Sequence, residues 1–137
     1  MSGAASHSSF VKIERRHVTD EEQRWIRDIV SANPTWADVQ IGDLFVVAEC
    51  TCGCRSVVLA ETENVQNPRL IGHQNLVGAM DLKVRFDARE DFVSVLLHFA
   101  EGSLSMLEVI WYNFPVPVPR KWTELDRDLR IGYTAAR

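Results

Sequence analysis

The chain has 137 residues, enough for one domain with a core that needs no covalent staple. Hydrophobic residues make up 46% and charged residues 25%, the mix of a soluble globular protein, and the formal net charge is −4. This acidic balance argues against a nucleic-acid partner and suits a partner that is itself basic.

The opening MSGAASHSSF lacks a basic segment followed by an apolar one, so no signal peptide is expected. No run of about 18 apolar residues suggests a membrane span. Residues 1–9 are small and polar and read as a disordered segment, with residues 10–137 as a single domain. The sequence HVTDEEQRWIRDIVSANP then reads as a helix. Thr19 and Glu22 have the spacing of a capping box, and Asp20, Glu21 and Glu22 suit the positive end of the helix dipole. Trp25, Ile26, Ile29 and Val30 make one apolar stripe, and Asn33-Pro34 ends the element. The polar Gln23 stands where Val18 would need a hydrophobic staple partner, so no staple is expected.

From Asp43 the period changes. LFVVAEC and SVVLA are short β-branched runs that predict a hairpin across TCGCR. ETENVQNPRL reads as a polar connection with a turn at Asn67-Pro68, and LIGHQNLVGAM is ambiguous. DLKVRFD predicts a strand with Leu82, Val84 and Phe86 on one face, and AREDF a turn. FVSVLLHFA and LSMLEVIWY are the clearest strands, joined by a tight turn at Glu101-Gly102. The alternate prolines Pro115, Pro117 and Pro119 favour an extended, edge or polyproline path. TELDRDLRIG reads as a short closing helix capped by Thr123, with a last strand as the alternative. No repeat or second domain is visible. The expected fold is α+β, an N-terminal helix on a mostly antiparallel sheet of about five strands.

A two-residue turn at Glu101-Gly102 sets Val95 opposite Glu108 and Val93 opposite Ile110, which places Glu108 on the core face. A carboxylate there needs donors or an edge position. The other face, with Leu96, His98 and Leu107, is also largely apolar, so a second protein could dock on it.

The three cysteines, Cys50, Cys52 and Cys54, lie at alternate positions. They cannot all pair within the chain, and free thiols in a reducing cytoplasm are the simplest reading. Zinc sites usually combine separated C-x-x-C pairs; here a fourth ligand would have to be His7, His17, His73 or His98. If Cys52-Gly53 is a two-residue turn, Cys50 and Cys54 point to opposite faces. The stretch then reads mainly as a turn with Cys50 buried, and zinc or thiol chemistry as the alternative. No cofactor is expected. No G-x-S-x-G, H-E-x-x-H, Walker loop or dinucleotide fingerprint occurs, and Ser103 and Ser105 near His98 make a poor nucleophile–base set, so an enzyme is not expected. Partner binding is the better reading. Its candidate residues are the loop carboxylates Glu61, Glu63, Asp87, Glu90 and Asp91 and the aromatics Trp111, Tyr112 and Phe114.

The helix TDEEQRWIRDIVSANP, the hairpin CTCGCRSV and the strand LSMLEVIWY together resemble small bacterial immunity proteins of polymorphic toxin systems, including contact-dependent growth inhibition. The resemblance implies a cytoplasmic protein that binds a cognate toxin, often a nuclease, and blocks its active site or substrate surface. It carries over no binding residue.

Overall fold

The computed structural model describes residues 10–61, 75–115, 117, 118 and 121–130. Over these residues one helix, α1 (Asp20–Ser31), packs on one face of a seven-stranded antiparallel sheet. The strands are β1 (Phe10–His17), β2 (Phe45–Cys50), β3 (Val57–Ala60), β4 (Asn75–Phe86), β5 (Arg89–Ala100), β6 (Ser103–Trp111) and β7 (Thr123–Arg130). Their spatial order is β1-β2-β3-β6-β5-β4-β7. None of the described helices is long and apolar enough to cross a membrane.

Helix α1 starts as its sequence dictates. The Thr19 side chain accepts a bond from Glu22 N (3.1 Å) and Glu22 Oε1 accepts one from Thr19 N (2.8 Å). Arg16 donates two further bonds to the same carboxylate, at 2.9 and 3.1 Å. Trp25, Ile26, Ile29 and Val30 are all buried on the sheet. Each such side chain is worth about 1.5–3 kcal/mol on transfer from water, so this stripe fixes the layer arrangement. Two short 3-10 turns, Pro34–Trp36 and Ile41–Asp43, follow and seat Trp36 and Leu44 in the same core. Buried Asn33 donates to Val77 O (3.1 Å), where β4 bulges against β5.

The sheet has two strands more than the five expected. The segment before the helix is strand β1, paired with β2. The closing segment is strand β7 and not a helix, because it covers the open edge of β4. Its Leu125 and Leu129 stay more than a third exposed, so the apparent helical stripe buries little. Its polar residues do the anchoring: Glu124 accepts from Arg24 of α1 (3.0 Å), and Arg127 pairs with Asp28. The ambiguous stretch from Asn75 to Met80 is the first half of β4. Its earlier half, with His73, lies outside the described residues, as do the turn expected at Asn67-Pro68, Glu63 and residues 1–9.

Two hairpins are instructive. The β4–β5 turn is only Asp87-Ala88, since Phe86 pairs with Arg89, so Glu90 and Asp91 are strand residues. The Glu101-Gly102 turn is the tight one predicted, with both residues at positive φ (53° and 80°) and Phe99 opposite Leu104. Beyond it, however, an extra residue in β6 at Ser105 shifts the register, so Val95 faces Val109 and Glu108 faces Leu96. That bulge turns Glu108 off the core face. It meets His98 instead, with Nε2 and Oε1 2.9 Å apart.

Candidate functional site

The β2–β3 connection is the most chemically loaded part of the chain. Glu49 pairs with Val57, and Cys50 N donates to Ser56 O (3.1 Å), so five residues, Thr51 to Arg55, form the turn. The two-residue turn expected at Cys52-Gly53 is therefore wrong by parity. The physical reason is local: Gly53 and Arg55 both take left-handed backbone, at φ 80° and 75°, which folds the chain back more gradually. Arg55 adopts this conformation without glycine's freedom, at a cost of roughly 1–2 kcal/mol. Its guanidinium bonds to Glu21 (2.9 Å) and lies over the Trp122 ring (5.8 Å).

The consequence is that the three cysteines do not diverge. Their sulfurs all lie within 4.8 Å of one another, and those of Cys50 and Cys52 are 3.1 Å apart. Cys50 and Cys54 are buried, and Cys52 is partly exposed. Cys54 Sγ is 3.2 Å from Ser56 Oγ. The proline segment lies across this turn: Val118 N donates to Gly53 O (3.1 Å), and Pro117 sits directly above Gly53. Trp111 Nε1 donates to Cys54 O (2.9 Å) from β6. Of the candidate fourth ligands, His17 contacts Phe45 and His98 contacts Glu108; neither joins the sulfurs. His7 and His73 lie outside the described residues.

Beside the turn a cavity of about 450 Å³ is lined by Arg16, Glu21, Trp25, Glu49, Cys50 and Arg55, among others. Burial pushes the Glu21 carboxyl above its ordinary pKa, against the pull of Arg55. The hydrogen bond to Glu22 raises Arg16 further.

The expected partner-binding residues divide sharply. Asp91 is 1% exposed and not a loop acid. Its carboxylate accepts from Phe92 N (2.7 Å), from Asn113 N (2.9 Å) and from Phe114 N (2.8 Å), and so holds the chain where it leaves β6. Phe114 is buried in the core, and Trp111 is half-buried, its ring stacked on Phe114 (6.0 Å). Trp111 follows from β6 parity, since Val109 faces the core, whereas Phe114, beyond the strand, is seated by the backbone bond to Asp91. Glu61 closes β3 at the opposite end of the sheet from the β4–β5 turn.

Asp87, Glu90 and Tyr112 do come together at that turn's end of the sheet. Glu90 is exposed, and hydrogen bonds from Arg85 and then Lys83 hold its carboxyl below the usual range. Tyr112 is 60% exposed and its hydroxyl meets Ser94 Oγ (2.9 Å), which in turn donates to Asp81 (2.6 Å). Phe92, 56% exposed, extends the Val93–Trp111 pairing onto the same outer face and stands opposite Lys83. Strand alternation from Val93 and Val95 marks Phe92 as outward, with Leu96 and His98 on the face that the sequence offers to a second protein. Asp126 and Asp128 of β7 complete this face, opposite Lys83 and Asp81.

Fold and site together define a helix-on-sheet α+β protein with exposed aromatics at one end of its outer face and a cysteine-bearing turn. Comparison with family models, with curated proteins and with solved structures gives no match.

Proposed function

We propose that the chain is a non-enzymatic binding protein that docks a partner protein on the outer face of β4–β7. The observation that carries this reading is the neighbouring pair Phe92 and Tyr112, 56% and 60% exposed at one end of that face. Large aromatic groups at this exposure are the side chains that anchor protein interfaces. Around them stand the carboxylates of Asp81, Glu90, Asp126 and Asp128 and the cations of Lys83 and Arg85. The excess of acid suits a partner with a basic rim, and charge complementarity of this kind accelerates capture. Joined to the resemblance to immunity proteins, these features make a toxin domain with a basic substrate surface the partner to test.

The first observation to make is the neighbouring reading frame, and a toxin domain found there supplies the binding partner for the experiment. Titration calorimetry should give a tight one-to-one complex and loss of toxicity. Phe92→Ala and Tyr112→Ala should each weaken it by at least about tenfold, or about 1.4 kcal/mol. Asp126→Lys with Asp128→Lys should slow association and flatten its salt dependence. A folded protein that forms no complex, or a complex indifferent to both aromatic variants, overturns the reading.

A further inference from the structure

We infer that Cys50, Cys52 and Cys54 form a three-thiolate site for one soft d10 cation, zinc or copper(I). The argument starts from convergence. Three cysteines used only as small buried residues would pack separately; these place all three sulfurs within 4.8 Å of one another. Burial does not explain Cys52 in any case, since it is partly exposed. With a metal–sulfur bond of about 2.3 Å, tetrahedral thiolates stand about 3.8 Å apart and trigonal ones about 4.0 Å. Cys50 and Cys52, at 3.1 Å, have to open, and any pair beyond 4 Å has to close by no more than the remainder of 4.8 Å. Small side-chain rotations achieve both.

The frame around the sulfurs is built. Cys50 N, Gly53 O and Cys54 O are all tied by hydrogen bonds, to Ser56, Val118 and Trp111 respectively. Arg55 holds a left-handed backbone next to Cys54, which keeps that residue turned toward its fellows. Ser56 Oγ accepts from the Cys54 thiol at 3.2 Å and donates to Val109 O at 3.4 Å; turning that one proton to the sulfur would orient a Cys54 thiolate. Arg16 and Arg55 line the same cavity as Cys50, where they pair with Glu22 and Glu49 and with Glu21, respectively. Soft thiolate ligands select zinc and copper(I) over harder ions. Among the described residues no histidine or carboxylate joins the group. Copper(I) is complete with three sulfurs, whereas zinc keeps a fourth position for water or an incoming ligand.

The test uses the full chain, purified with reductant under anaerobic conditions. Zinc and copper(I) are titrated separately against a chromophoric chelator, with native mass spectrometry for stoichiometry. One ion per chain, loss of all thiol reactivity and a rise in thermal midpoint are expected with at least one of the two metals. Cys52→Ser should fold like the metal-free parent, because that side chain is not deeply packed. It should bind more weakly by upwards of about 100-fold, beyond what losing a supporting contact costs. The site is refuted by absence of binding at micromolar metal. It is equally refuted by Cys52→Ser binding as the parent does, or by a Cys50–Cys52 disulfide persisting in the reduced preparation. None of these readouts depends on a protein partner, so the site and the docking face stand or fall separately.

Discussion

Asp91→Asn tests how the chain is held where it leaves β6. The substitution is close to isosteric, and it replaces one carboxylate oxygen by an NH2 group. Oδ1 now accepts from Phe92 N and Asn113 N, and Oδ2 from Asn113 N and Phe114 N. Asparagine can serve only one of these oxygen positions. In either orientation Asn113 keeps an acceptor, while Phe92 or Phe114 faces a donor. A buried N–H left unsatisfied costs about 1–3 kcal/mol, and the surviving bonds lose their charge assistance. The expected loss is therefore about 2–4 kcal/mol, a large part of the ~5–15 kcal/mol available to a typical domain. Urea unfolding followed by tryptophan emission measures it, with Trp111 beside the affected segment. Neighbouring Glu90→Gln serves as control and should leave the midpoint in place, because Glu90 is solvent-exposed. A loss below about 0.5 kcal/mol for Asp91→Asn, with unchanged m, would refute the assignment of Asp91 as the organiser of this junction.

Gly53→Ala should be more damaging than its size suggests, because the new Cβ would lie 2.5 Å from Pro117 Cβ and 2.8 Å from Pro117 Cα at a φ of 80°. A fall in thermal midpoint well beyond that of Gly42→Ala, whose Cβ meets nothing, is the expected result. Thr19→Ala removes the helix cap and should cost ~1 kcal/mol by chemical unfolding, with Glu22 still held by Arg16. Glu21 gives a pH signature. Its folded pKa is raised by burial, so the stability it contributes is present below the unfolded value and is lost as pH rises through the folded one. Glu21→Gln should remove that decline between acid and neutral pH, which a stability series across this range would show.

The helix was legible almost to the residue, because capping box, apolar stripe and Asn-Pro stop are all local signals. The late hairpin was legible at its turn but not along its length, since the Ser105 bulge leaves no mark in an alternating pattern. β7 was misread because Leu125 and Leu129 mimic a helical spacing, while its pairing with β4 and its bonds to Arg24 and Asp28 are long-range. The same holds for the site. Asp91 reads as a loop acid because a charged residue beside Asp87 and Glu90 looks solvated until its three backbone donors are known. The cysteine turn failed by one residue of parity. The longer turn and the left-handed backbone at Arg55, a residue that rarely adopts it, are what bring the sulfurs together, and neither is marked in the sequence.

The order β1-β2-β3-β6-β5-β4-β7 makes the sheet two three-stranded runs joined at a single seam, with β7 added on the outer edge of β4. That seam has only two backbone pairings, Val57 with Leu107 and Val58 with Met106. Where the ladder stops, side chains take over the stitching. The fully buried Ser56 hydroxyl accepts from Val109 N (2.8 Å), and the Trp111 indole reaches Cys54 O. A seam closed by one hydroxyl and one indole is the weakest line in the sheet for partial opening. The amide of Val109 is the natural gauge of that opening, because its exchange with solvent requires Ser56 to let go before either run unravels.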